Sequence, residues 1–320
     1  MIRVFAVLAA LLHSATAAAQ EFPVKPIRLI VGFGAGGTTD LLARVVGDAL
    51  AKSLGQPVVV ENRPGAAGVV AAEHVASQPA DGYTIMFSGV NFTYFPIFNA
   101  NWKLDLLNSF SYLGTVSDGF SAMLVMPAQF PPRNLAELID YGRKNPGRLN
   151  YARVGPGPWD MAVQHISKTY GLGITFVPYK SQAEAKTAAQ RGDVHIWLDG
   201  LTGLGNDLKE GRARILAVLG PQRIPGLDAP TLTEAGIANP RFEPASWWGL
   251  VGPANIPADV SGKLSKGIAE ATRSPELAGR IKVTGSGVAR FGTPAEHRNV
   301  VATDLAFYSK LARELGIRPE

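Results

Sequence analysis

The chain has 320 residues, a formal charge of +5 and no cysteine. That length buries a large core and divides naturally into two domains. The missing thiols exclude thiolate catalysis, disulfide staples and cysteine metal sites, and mild basicity without a dense Lys/Arg run argues for small acidic ligands over nucleic acid.

Residues 1–19 read as a cleavable signal peptide. Arg3 is a short positive start, residues 4–12 form an apolar run, and Ala17, Ala18 and Ala19 offer a small-residue cleavage site. The run is too short to cross a bilayer, so the expected product is an exported periplasmic protein. Loss of Arg3 alone takes the formal charge from +5 to +4.

The stretch IRLIVGFGAGGTTD organises the first half. Ile27, Leu29, Ile30 and Val31 read as a buried parallel strand, and Gly32, Gly34, Gly36 and Gly37 break it. Thr38, Thr39 and Asp40 supply N-cap chemistry for a helix ending at Gly55. Backbone N–H groups gathered at such a turn suit an anion. Gly32, Gly34 and Gly37 also fit a dinucleotide fingerprint, with Glu61 closing the next strand at a suitable distance. Against that reading, Asp40 opposes a pyrophosphate at the helix start, and an exported protein meets no standing nicotinamide pool.

PVVVE, a Pro-Gly turn, a helix from AAGVVAAEHVAS and the strand YTIMFSG complete a βαβαβ unit, in which ligands meet the strand C-termini. VNFTYFPIF follows with four aromatic residues, at least two of them core, and residues 101–121 read as irregular. AMLVMP crosses into a second α/β lobe built from NLAELIDYGRKNPG, LNYARVG, WDMAVQHISKTYG, ITFVPYK, QAEAKTAAQRGD, VHIWLDG and ARILAVLG. SWWGLVGP returns to the first lobe, with Trp247 and Trp248 on opposite faces at the hinge, and a mostly helical tail closes over that lobe. The expected fold class is α/β: a two-lobed periplasmic-binding-protein clamshell, each lobe a mostly parallel sheet flanked by helices. Lobe 1 spans residues 20–122 plus 245–320 and lobe 2 residues 123–244, with the cleft between them.

KPIRLIVGFGAGGTTD, LGQPVVVENRPGAAG, ADGYT, NPGRLNYA, VPYK, PTLTEAG, SWWGLVGP and GTPAE occur in order across nearly the whole mature chain. In these blocks the sequence resembles the Bug-type periplasmic solute-binding receptors of tripartite tricarboxylate transporters. The resemblance implies two lobes closing on a small carboxylate held largely by main-chain N–H groups, with membrane permease subunits as partners and neither catalysis nor a cofactor. Gly36, Gly37, Thr38 and Asp40 match the family's first loop. The second lobe departs from it: where a Ser-x-Gly-x-Gly-Ser pattern is usual, this chain has Arg153, keeps Gly155 and Gly157, and follows them with Pro158, Trp159 and Asp160, while Ser181 replaces a glycine and Gly200 an asparagine.

The candidate binding set is therefore Gly34, Ala35, Gly36, Gly37, Thr38, Thr39 and Asp40 after the first strand, with Ser88, Asn91 and Thr93 after the third. From the second lobe it takes Arg153, Val154, Gly155, Gly157, Trp159, Tyr179 and Asp199. Arg153 can pair with a carboxylate bidentately or face water. Trp159 is a stacking wall or a core anchor, and Asp160 is an N-cap of its helix. The bulky residues point to an aromatic or otherwise bulky carboxylate rather than succinate, malate or citrate.

Catalysis has little support. His74, His165, His195 and His297 form no HExxH or H-x-H pair, there is no G-x-S-x-G elbow, and the aspartates lack calcium-loop spacing. No metal and no nucleic acid are implied, and a monomer is expected. An exported ligand-binding partner of a membrane sensor stands as the alternative, with a dinucleotide-dependent enzyme behind it.

Overall fold

The computed structural model describes residues 21–118, 122–154, 157–179, 181–220, 222–224, 226–237, 247–283 and 287–319. Residues 1–19, expected to be a signal peptide, lie outside them.

Lobe 1 grows from β1 (Ile27–Val31), which is buried on both faces. Ile27, Leu29 and Val31 pack with Leu42, Val46 and Leu50 of α1 (Thr38–Leu54), while Ile30 packs with Val69, Ala72 and Val75 of α2 (Val69–Ala76). This two-sided burial explains the unbroken apolar run. Gly55 ends α1 in a left-handed cap at φ 69°, donating its N–H to Ala51. β2 (Val58–Asn62) and β3 (Thr84–Gly89) flank β1 in parallel. The sheet continues through β10 (Trp247–Pro253), β4 (Phe110–Asp118) and β11 (Val288–Gly292), all antiparallel to their neighbours, giving the order β11-β4-β10-β3-β1-β2. Part of residues 101–121, expected to be irregular, is thus a nine-residue strand inside the sheet.

The second sheet has the order β7-β6-β8-β5-β9. β6 (Asn150–Arg153) pairs in parallel with β7 (Thr175–Pro178) and β8 (Ile196–Asp199). β5 (Ala122–Pro127) runs antiparallel to β8 and to β9 (Ala213–Leu219). Helices α4 (Leu135–Lys144), α5 (Pro158–Tyr170), α6 (Gln182–Arg191) and α7 (Leu201–Lys209) alternate with these strands. The expectation of mostly parallel sheets is corrected to mixed ones. β5 and β10 each enter from the opposite lobe, so they begin where the βα strands end and must run against them.

The two-lobed α/β arrangement is the one anticipated, but the tail does more than cover lobe 1. After α8 (Ala258–Ala271), α9 (Pro275–Val283) and β11, α10 (Pro294–Leu315) starts from a capping box made by Thr293 and Glu296. Its 22 residues extend about 33 Å at 1.5 Å per residue. Val301 packs in a lobe 1 cluster, whereas Tyr308, Leu311 and Ala312 pack with Met161, Ile166 and Leu198 of lobe 2. The helix therefore ties the two cores together. Trp247 and Trp248 do lie in different clusters, with Trp248 stacked on Phe87 at 5.5 Å and Trp247 against His297 at 4.4 Å. Burial holds His297 down at about 3, so it is a neutral packing residue.

Candidate functional site

A cavity of about 640 Å³ opens between the lobes. Its lobe 1 wall comes from the turns after β2 and β3. Residues 65–68 take an unusual path: Gly65 has φ 151°, Ala66 44°, Ala67 55° and Gly68 108°. Two consecutive alanines in the left-handed region cost about 1–2 kcal/mol each, and such strain concentrates at functional sites. Asn91 Nδ2 holds the turn by donating to the Ala67 carbonyl at 3.0 Å. Ala66, Ala67 and Val69 then face the cavity directly before and at the start of α2.

The 3₁₀ turn Val90–Tyr94 and the short α3 (Phe95–Phe98) give this wall its apolar character through Val90, Tyr94, Phe95 and Phe98. Three of the four aromatics here are buried, and packing fixes them: Phe92 edge-on to Phe110 at 4.9 Å, Tyr94 edge-on to Tyr308 at 5.0 Å, Phe95 against Trp102 at 5.2 Å. The wall is preformed by rigid rings.

Lobe 2 contributes the ends of β6 and β8 and the starts of α5 and α6. Gly157 is the N-cap of α5, Pro158 sits at its first turn, and Trp159 and Asp160 face the cavity. Asp160 is therefore inside the first turn and not the N-cap expected of it. Its Oδ1 accepts the Tyr151 hydroxyl at 2.5 Å. Burial pushes the Asp160 carboxyl up to about 6, against the opposing pull of the Tyr151 hydroxyl and Arg153. Arg153 Nε stands 4.0 Å from Asp160 Oδ2. Asp199 is buried, and its Oδ1 accepts the Gly200 N–H at 2.8 Å. Burial raises this carboxyl too, opposed by the Gly200 N–H and by Lys186. A Cβ at Gly203 would collide with the carboxylate, so the first turn of α7 stays bare there.

The glycine turn after β1 approaches the turn after β2 at Gly32 and Gly68. Its helix has Gly37 as N-cap with no side-chain cap, so the capping role expected of Thr38, Thr39 and Asp40 is corrected. Asp40, one turn in, folds back instead: Oδ2 accepts Gly36 N–H at 2.9 Å and Arg44 Nε at 3.0 Å, and Oδ1 accepts Asn62 Nδ2 at 2.9 Å. Burial raises its carboxyl, but the bonds from Arg44, Gly36 and Asn62 outweigh that and hold it at about 2. The anion at this helix start is the chain's own carboxylate. Gly32 is glycine because a Cβ would lie 2.7 Å from Gly68 Cα. Glu61 is held by Arg28 at 2.8 Å and by Arg63 at 2.6 Å. Gly32 and Glu61 of the dinucleotide fingerprint thus each serve an internal contact.

Of the sequence-derived set, the fold brings Asn91, Val154, Gly157, Trp159 and Asp199 to the cavity wall. Among the described residues, Gly34, Ala35, Gly36, Gly37, Thr39 and Asp40 are not part of that wall, the Thr38 side chain lies outside the description, and Arg153 and Tyr179, whose backbones bond at 2.8 Å, are not part of the wall either. Ser88 is buried at the end of β3, 3.5 Å from the Gly249 carbonyl. Thr93 is fully buried, and its hydroxyl has no partner among the described residues. Gly155 lies outside them. Ala66, Ala67, Tyr94, Tyr151, Asp160 and Gln182 also line the cavity. The PGAAG motif was the available signal for the first two. Among the described residues no group of three His, Asp or Glu is placed to hold a metal, and no helix is long and apolar enough to cross a membrane.

The family model for the tripartite tricarboxylate transporter family receptor matches residues 42–306. The chain belongs to this receptor family. A UPF0065 protein of Bordetella pertussis is 35% identical over 280 residues, covering 86% of this chain and 85% of its own. Two solved structures place the receptor fold on firm ground. The periplasmic binding protein BugD superposes with a TM-score of 0.77 at 28% identity, covering 93% of this chain and 100% of its own. A Rhodopseudomonas palustris protein with adipate superposes at 0.80 with 29% identity, covering 94% and 100%. The family is one of solute-binding receptors, and the mixed sheets, the crossing strands and the cleft of this chain are its architecture.

Proposed function

We propose that the protein is an exported receptor that captures a small organic carboxylate with a bulky apolar body and presents it to the permease subunits of a tripartite transporter. The observation that carries this reading is the cavity wall: a backbone turn at Ala66 and Ala67 beside the start of α2, flanked by Tyr94, Phe95, Phe98 and Trp159. The carboxylate sits on the turn and the start of α2, where N–H groups and the helix end favour negative charge. The apolar body lies on the rings, each well-placed stack adding about 0.5–1.5 kcal/mol beyond area burial. The R. palustris structure with adipate supports a carboxylate of some length. In this reading lobe 1 comprises residues 20–122 and 245–320, lobe 2 residues 123–244, and residues 1–19 are removed on export. No step of catalysis is assigned.

Calorimetry on wild-type protein and on Trp159→Ala and Arg153→Ala variants tests it. Benzoate-type carboxylates should bind more tightly than succinate, malate or citrate. Trp159→Ala should lose about ten-fold in affinity, equivalent to about 1.4 kcal/mol. Arg153→Ala should lose less, because Arg153 acts through Asp160. Tight citrate binding with both substitutions silent would overturn the bulky-ligand reading.

A further inference from the structure

Building on the carboxylate-receptor reading, we infer that the lobe 2 wall selects a ligand bearing a protonated nitrogen in addition to its carboxylate, with Asp199 as the principal counter-charge and Asp160 beside it. The cavity places two carboxylates on one wall, and no lysine or arginine is among the described residues that line it. A receptor for plain dicarboxylates would meet the second ligand charge with a charge of the same sign. Like charges within about 4–6 Å raise the energy of the ionised pair, whereas an ammonium or pyridinium lowers it.

Among the described residues Asp199 makes no ion pair within 4 Å, although Lys186 acts on it at longer range, and Arg153 reaches Asp160 only at the edge of that distance. Lys186 Nζ pairs with Asp207 at 2.9 Å and donates to the Gly203 carbonyl at 3.2 Å. Arg212 also pairs with Asp207, at 2.8 Å. Arg153 is 4.0 Å from Asp160 and outside the wall. Asp199 is bonded by the Gly200 N–H and Asp160 by the Tyr151 hydroxyl. An ionised carboxylate offers about four lone-pair sites, so both retain acceptor capacity toward the cavity. Burial raises both carboxyls, opposed at Asp199 by the Gly200 N–H and Lys186 and at Asp160 by the Tyr151 hydroxyl and Arg153, and a cation bound in the cavity adds to that opposition. Asn91 and Gln182 add neutral polar contacts on the two lobes. The ligand class is a zwitterion whose carboxylate meets the Ala66–Ala67 turn while its nitrogen meets lobe 2, with an apolar spacer on the rings.

Matched probes separate this from the parent reading: 6-aminohexanoate against adipate, and 4-(aminomethyl)benzoate against terephthalate, titrated by calorimetry into wild type, Asp199→Asn and Asp160→Asn. The wild type should favour the amino member of at least one pair ten-fold or more. Asp199→Asn should erase that preference, and Asp160→Asn should narrow it. If Asp199→Asn does not fold, the wild-type preference and Asp160→Asn decide. Dicarboxylates bound more tightly than their amino partners, or a preference unchanged by the substitutions, would overturn the inference and leave the carboxylate receptor standing. No binding of any carboxylate, these probes included, would overturn both.

Discussion

The turn after β1 and the turn after β2 are both glycine-rich, both lead into helices, and they touch at Gly32 and Gly68. Their polar groups are satisfied in opposite ways. In the first, Asp40 closes the loop through Gly36, Arg44 and Asn62. In the second, no acidic side chain among the described residues bonds the turn, two alanines hold left-handed angles, and both alanines line the cavity. A glycine pattern shows where a helix start can receive an anion. Whether the chain fills that place itself depends on one side chain a turn further along.

The largest effect should come from breaking the first turn's internal closure. Asp40→Ala removes the acceptor of the Gly36 N–H and leaves Asn62 Nδ2 only the Phe33 carbonyl and Arg44 only Asn62 Oδ1. Arg44 is half in water, so the ion pair adds little, and the lost hydrogen bonds dominate at about 2–3 kcal/mol of stability in urea unfolding. The pH dependence has a fixed sign. Asp40 is held at about 2, below the ordinary carboxylate value of about 3.9, so its contribution is present above pH 4 and is lost as pH falls through 2. Melting curves between pH 5 and pH 2 should fall more steeply for wild type than for Asp40→Ala; parallel curves would remove Asp40 from the account.

The second turn should respond in binding first. Ala67→Val puts a β-branched residue at φ 55°, and ligand affinity should fall about ten-fold or more. Ala67→Gly relaxes the angle and should raise stability by up to about 1 kcal/mol, read by thermal melts. A Val variant with wild-type affinity would take the ligand away from this turn.

The smallest effect should be Gly37→Val in the first turn. Gly37 has an extended φ of −78°, and a Cβ there meets only the Gly34 carbonyl at 3.8 Å. Carboxylate affinity should change by no more than about two-fold, since nothing within contact distance is displaced. A ten-fold drop, measured by calorimetry on folded protein, would put the carboxylate back at the β1 turn and reverse the comparison.

Much of the fold was legible because burial leaves a periodic trace. The apolar run of β1 and the helical spacing of Leu42, Val46 and Leu50 are local consequences of two-sided and one-sided packing. The strand Phe110–Asp118 was missed because its apolar residues are interrupted by Ser111, Gly114 and Thr115, with a bulged register against β10. The candidate site was legible only in part. Asn91, Trp159 and Asp199 sit just past strand or turn signals, whereas Tyr151, inside a strand, and Ala67, chemically plain, carry no local mark of facing a cavity.

By itself the sequence determined the α/β grammar, the crossing between two lobes and the receptor family, because these follow from burial period, turn residues and ordered motifs. Tertiary structure alone decided which turn lines the cavity, that α10 ties the two cores, and that Asp160 and Asp199 share one wall. Those facts depend on residues far apart in the chain meeting across the cleft. Hydrogen bonds such as Asn91 to Ala67, and contacts such as Tyr94 to Tyr308, are set by how strands cross and helices pack, and no local pattern encodes them.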